Sequence, residues 1–272
     1  MRIGVRGHDY GCASPEEMAR RISNAGFCCF QLALHKAIEG FKPEYGLLSP
    51  GFCYRVRTAF EDRKLEVAVL GCYIDPANPD DEKRLYDVKR FREQIAYCRM
   101  LGSNIVATET SNYSGDEAGR KTAYGRLLDS VLRMTEQAER FGVFVGIEPV
   151  FLHTLNTPEL AAKLLSDVGS ENLQIVLDPI NLLNPVNIAR QREIIDEAFD
   201  AFGDRVVAVH AKDVRLNAEG RFEPCVIGEG LFDNEYFYEK LKQQKPEISV
   251  LREEAKPETA QLDIKALQNY LK

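Results

Sequence analysis

Eight short apolar runs alternate with longer helical stretches along the chain, and this alternation constrains the fold more than any other feature. The runs fall at residues 2–6, 27–34, 65–72, 104–108, 143–150, 173–177, 206–209 and 248–251. Short runs rich in β-branched and aromatic residues, bounded by turn signals, read as strands covered on both faces. Several intervening stretches open with clear helix starts: Ser14-Pro15-Glu16-Glu17, Ser49-Pro50 and Thr157-Pro158-Glu159. Each supplies a side-chain acceptor at the cap and a proline at the first helical position, where no N–H is needed. Glu17 is placed to complete a capping box. Helices are expected at 14–26, 49–63, 79–101, 116–140, 158–168, 188–202, 233–243 and 259–271. Regular β–α alternation predicts parallel strands. Eight such units in 272 residues predict an α/β fold, a (β/α)8 TIM barrel forming a single domain over 1–272. An open doubly wound sheet competes with it, but Gly4 and Gly7 do not supply that fold's glycine fingerprint.

The last four runs share a second feature. Val143-Phe144-Val145-Gly146-Ile147 leads into Glu148, Leu173-Gln174-Ile175-Val176-Leu177 into Asp178, Val206-Val207-Ala208-Val209 into His210, and Ile248-Ser249-Val250-Leu251-Arg252 into Glu253 and Glu254. In a barrel all strand ends meet at one face, so residues distant in sequence converge there. Glu148, Asp178, His210 and one of Glu253 or Glu254 would give three carboxylates and an imidazole. That set suits one divalent cation, Mn2+ first because the ligation is oxygen-rich, with Zn2+, Co2+ or Mg2+ as alternatives. Taken singly, each residue also has an ordinary reading: a helix-start acid, a turn former before proline, or a hydrogen-bonded core histidine. Their occurrence at four consecutive strand ends favours the site.

Composition excludes some classes. A net charge of −7 opposes general binding to nucleic acid or to an anionic membrane surface. No apolar run approaches the roughly 20 residues of a membrane span. The seven cysteines show no CxxC spacing, and the polar start at residues 1–6 is not a secretory h-region. Reduced thiols in a cytoplasmic protein are the expectation.

Gly146-Ile147-Glu148-Pro149, Leu177-Asp178-Pro179-Ile180-Asn181, His210-Ala211-Lys212-Asp213, Gly228-Glu229-Gly230 and the final acidic strand together resemble the sugar phosphate isomerase/epimerase family. These are the xylose isomerase-like barrels, which include ketose 3-epimerases, hydroxypyruvate isomerases and endonuclease IV. The resemblance implies that Glu148, Asp178, His210 and Glu254 hold the metal. Glu254 is taken rather than Glu253 because the family's terminal glutamate usually precedes a small residue and a polar loop, as in Glu254-Ala255-Lys256-Pro257. It further implies isomerisation or epimerisation of a ketose or ketose phosphate through an enediolate, with Glu148 and Glu254 as paired acid and base. Where the family's epimerases often carry a histidine, this chain has Asn181, which can bind a substrate hydroxyl but cannot titrate. His153 is a candidate to orient substrate, as are the strand-end residues His8, Glu109, Lys212 and Arg215, with Arg6, Lys36 and Tyr73 beside them. Arg215 and the Gly228/Gly230 loop are the candidates for a terminal phosphate. The expected partner is a small sugar or sugar phosphate, and a homodimer is a family-level expectation. A dehydratase or lyase on a keto-polyol would use the same groups. A non-catalytic sugar-binding barrel would not need paired glutamates. An abasic-site endonuclease would need more than the four histidines present and a basic face.

Overall fold

The computed structural model describes residues 1–272. Eight parallel strands close into a barrel: β1 (Arg2–Arg6), β2 (Cys29–Leu32), β3 (Glu66–Gly71), β4 (Ile105–Glu109), β5 (Phe144–Glu148), β6 (Leu173–Leu177), β7 (Val206–Ala211) and β10 (Ser249–Arg252). The strands follow one another in sequence order around the ring, and β10 closes against β1. Two further short strands, β8 (Val214–Leu216) and β9 (Phe222–Pro224), pair antiparallel as a ribbon outside the barrel. The helices are α1 (Pro15–Asn24), the single-turn α2 (Leu34–Ala37), α3 (Pro50–Glu61), α4 (Asp81–Tyr97), α5 (Glu117–Phe141), α6 (Pro158–Val168), α7 (Gln191–Phe202), α8 (Asn234–Gln244) and α9 (Ala260–Tyr270). The fold is therefore the (β/α)8 barrel expected from the alternation.

The helix starts form as their chemistry dictates. Ser14, Ser49 and Thr157 each accept a hydrogen bond from the backbone N–H three residues on, which satisfies one of the free donors of the first turn. Glu17 does not close the expected capping box. Its carboxylate turns to Arg20 and Arg21 on its own helix.

Side chains alternate between the two faces of each strand. Those facing outward join the helices in one large core. Those facing inward form a smaller core of Cys29, Val69, Ala107, Val176, Ala208 and Leu251, one from each of six strands. Gly146 belongs to the same inner layer: a Cβ there would lie 2.9 Å from Val176 Cγ2 and 3.1 Å from Ala107 Cβ. The barrel is thus filled by small residues at mid-height. The next inward position on each strand, two residues further on, lies at the C-terminal mouth. There the inward set changes from apolar to Gln31, Glu109, Glu148, Asp178, His210 and Glu253.

Candidate metal centre

Glu148, Asp178, His210 and Glu253 each offer a ligand atom, and these atoms all lie within 4.8 Å of one another. All four residues are buried. His210 Nδ1 lies 3.1 Å from Glu148 Oε2 and 3.1 Å from Glu253 Oε2. Its other nitrogen, Nε2, is 2.7 Å from Gln31 Oε1, while the Gln31 amide nitrogen donates to the Tyr73 hydroxyl at 3.0 Å. An amide oxygen can only accept, so Nε2 carries a proton and Nδ1 is the ring atom left to hold either a second proton against the carboxylates or a cation. Neither His210 Nδ1 nor Asp178 Oδ2 makes a well-directed hydrogen bond. Apart from the charge of Lys212 beside Asp178 Oδ2, these buried polar atoms have no directed partner, which is costly, and a divalent cation among a mixed carboxylate and imidazole set would satisfy them. The cluster can hold one metal ion.

Glu253, not Glu254, is the strand-end glutamate that converges. The pleat explains the choice. Leu251 faces the barrel interior, so Glu253, two residues later, continues that face. Glu254 leaves the strand with φ 58, its side chain 47% exposed and held by Arg6 at 3.3 Å. The expected pair of Glu148 and Glu254 is therefore replaced geometrically by Glu148 and Glu253.

Neighbouring groups fix the charges. Lys212 Nζ contacts Asp178 Oδ2 at 3.1 Å and Glu253 Oε1 at 2.7 Å, and it donates to Asn181 Oδ1 at 3.2 Å. Asn181 Nδ2 in turn donates to Glu148 Oε1 at 2.7 Å. Arg6 reaches Glu253 at 3.0 Å and Asp9 at 2.8 Å. Burial pushes the Asp178 carboxyl up to about 6 despite Lys212. Burial also disfavours the Glu253 carboxylate, but Lys212, His210 and Arg6 hold it well below the ordinary range. Burial disfavours the His210 imidazolium, yet Glu148 and Glu253 keep its proton affinity well above the usual value. A cation at Nδ1 competes with that proton.

Around this centre stand most of the other residues singled out in the sequence. Glu109 ends β4 beside Glu148 in the barrel register. Burial, then Glu148 and Glu253, push its carboxyl up to about 7. His153 Nε2 lies 3.8 Å from Glu109 Oε2. His8 follows β1 and meets Tyr73 edge-on at 5.8 Å, and burial pulls its pKa down to about 3. Lys36 sits 3.5 Å over the Tyr73 ring.

Arg215 does not join them. It projects from β8, exposed, and pairs with Glu223 across the ribbon at 3.4 Å. Nor are the Gly228 and Gly230 N–H groups free for a phosphate. Both donate to Asp213 Oδ2, at 2.8 and 3.2 Å. The same buried carboxylate accepts from Val214 N, Phe232 N and Asn234 Nδ2. The loop is built around an internal anion.

Sequence reasoning overlooked Gln31 and Asp213. The signal for Gln31 was a lone amide inside the apolar run 27–34. Asp213 stands in the sequence only as the last residue of the stretch His210-Ala211-Lys212-Asp213, with no role of its own.

A family model described as xylose isomerase-like TIM barrel matches residues 19–270. The chain belongs to that family. Among solved structures, a D-tagatose 3-epimerase-like protein superposes with a TM-score of 0.79 at 21% identity, covering 100% of this chain and 97% of that one. The IOLI protein, whose structure holds a zinc atom, gives 0.77 at 18% identity, covering 100% and 98%. A xylose isomerase-like TIM barrel protein from Mycobacterium smegmatis, in complex with magnesium, gives 0.74 at 15% identity, covering 100% and 98%. At these identities the likeness is one of fold. No curated protein sequence matches the chain significantly.

Proposed function

We propose that this protein is a divalent-metal-dependent isomerase or epimerase of ketoses, with Glu148 and Glu253 as its paired proton carriers and Mn2+ as the ion the oxygen-rich donor set favours. The observation that carries the reading is the convergence of three buried carboxylates and one imidazole nitrogen, each offering a ligand atom within 4.8 Å of the others. A cation held by Glu148, Asp178, His210 and Glu253 would polarise a substrate carbonyl and acidify the adjacent C–H.

The chain's own residues supply the rest. Glu148 and Glu253 come from β5 and β10, which are separated in the ring by β6 and β7, so they approach the mouth from different sides. Epimerisation needs this: one carboxylate removes a proton from one face of the carbon while the other carboxyl group delivers one to the opposite face. Asn181 holds Glu148 through a neutral amide, whereas Lys212 and Arg6 hold Glu253 through charge. The two carboxyls are therefore held in different ways, one by a neutral amide and the other by two cations. His8, Glu109 and His153 line the mouth as hydroxyl-binding groups. Relatives in fold include a D-tagatose 3-epimerase-like protein and proteins holding zinc or magnesium, which agrees with this reading.

The test is wash-in of deuterium from D2O at carbon next to the carbonyl, across a panel of ketoses, with Mn2+ added. Glu253→Gln should slow exchange by about 10²-fold or more, while Glu254→Gln stays within a few-fold of the unaltered protein. Full exchange in Glu253→Gln would remove it from the acid/base role.

A further inference from the structure

Resting on the sugar-isomerase reading, we infer that the substrate carries an apolar group, and that the site takes a keto-sugar bearing an aryl or alkyl aglycone rather than a free or phosphorylated ketose. A cavity of about 610 Å³ opens directly beside the metal cluster. Its inner end is polar and shared with the cluster. Asn181 and Lys212 line it, and these residues contact Glu148, Asp178 and Glu253.

Away from that end the wall turns apolar. Phe151, Leu152, Ile180, Val186, Phe222 and Pro224 line it, with Asn184 and Glu254 as the polar exceptions. They come from the loops after β5 and β6 and from the ribbon β8–β9, so three separate segments contribute to one apolar face. Leu152 is 65% and Val186 93% exposed, which leaves large apolar side chains at the rim facing water. A free ketose carries a hydroxyl on nearly every carbon and would lay most of those hydroxyls on carbon, with only Asn184 and Glu254 to partner them. A ligand polar at one end and apolar at the other matches the cavity along its length. Neither group suited by type to hold a phosphate serves this cavity: Arg215 lies on the exposed face of the ribbon outside its lining, paired with Glu223, and the Gly228/Gly230 N–H groups are held by Asp213.

The experiment is calorimetric titration of the Mn2+-supplemented protein with phenyl and methyl 3-keto-β-D-glucosides and with fructose 6-phosphate. The phenyl compound should bind roughly ten-fold or more tightly than the methyl compound, with a more negative heat-capacity change. The double variant Leu152→Ser/Phe222→Ser alters only the rim and the outer ribbon. It should erase the phenyl preference and leave methyl affinity unchanged. Equal affinities, binding of neither glycoside, tightest binding of fructose 6-phosphate, or a preference that survives the double variant would each overturn the inference. So would a dimer in light scattering that Leu152→Ser dissociates while no phenyl preference exists, because a second copy would then be what covers the face. Deuterium wash-in on free ketoses separates the two readings. Exchange without phenyl preference removes only the apolar subsite. Phenyl preference without exchange on any ketone removes the catalytic reading and leaves the subsite standing.

Discussion

Gln31 decides which nitrogen of His210 faces the carboxylates. By accepting from Nε2 at 2.7 Å it leaves Nδ1 as the only donor atom the ring can offer the cluster. Partners of this kind typically contribute 10–100-fold in metal affinity. Gln31→Leu should weaken Mn2+ binding by about that factor while the chain stays folded, as read by calorimetry beside circular dichroism. Unchanged affinity would mean that the ring orientation is set elsewhere. Asp178 gives the pH dependence. Its carboxyl titrates near 6 in the folded protein, so below that pH a cation must displace a proton from it. Apparent metal affinity should therefore fall as pH drops, by about ten-fold per unit below 6 from this group, added to the loss from the proton that the cation displaces at His210, whose raised proton affinity carries the dependence above 6. Isothermal titrations between pH 5 and 8 check the slope, and a profile that does not steepen below 6 would remove Asp178 from the ligand set. The identity of three of the four converging residues was legible in the sequence, because Glu148, Asp178 and His210 each interrupt an apolar run at its end. Glu253 against Glu254 was not. A strand buried on both faces is apolar at odd and even positions alike, so the run 248–251 does not show which parity points inward. Only Leu251 in the inner core reveals it.

At the scale of elements, the strand ends are held in place by buried charges that do not belong to the cluster. Arg252, on the outer face of β10, is fully buried with its Nε 3.1 Å from Asp263 Oδ1 on α9. Asp263 Oδ1 also accepts from Ile227 N at 2.9 Å. This pair clasps the last strand to the last helix one residue before Glu253. Asp263→Ala would leave the Arg252 guanidinium buried without its counter-charge and should cost about 3–5 kcal/mol of stability. Urea denaturation measures it, and a loss under 1 kcal/mol would show that the pair is not what fixes β10. The order of strands and helices followed from periodicity and caps to within a few residues. The ribbon β8–β9 did not. Its strands are three residues each, and Val214-Arg215-Leu216 and Phe222-Glu223-Pro224 are too short for alternation to stand out from loop sequence. The same blindness hid the role of Asp213, which organises the loop behind the ribbon through hydrogen bonds to backbone N–H groups that no side-chain pattern records.

At the scale of the whole molecule, the barrel gathers residues spread from position 6 to position 253 into one mouth while its interior is closed below by small side chains. No helix is long and apolar enough to cross a membrane. Because the cluster exists only when the barrel is closed, a metal bound there stabilises the entire fold. At about 1,000 times its dissociation constant, it should add about 4 kcal/mol. The measurement that tests the centre most directly is therefore the metal content of the purified protein by mass spectrometry, made beside His210→Ala, Glu253→Gln and Glu254→Gln. The expected result is about one ion per chain in the unaltered protein and in Glu254→Gln, with loss of the ion in His210→Ala and Glu253→Gln. An ion retained in His210→Ala, or lost in Glu254→Gln while Glu253→Gln keeps it, would contradict the site built here from Glu148, Asp178, His210 and Glu253.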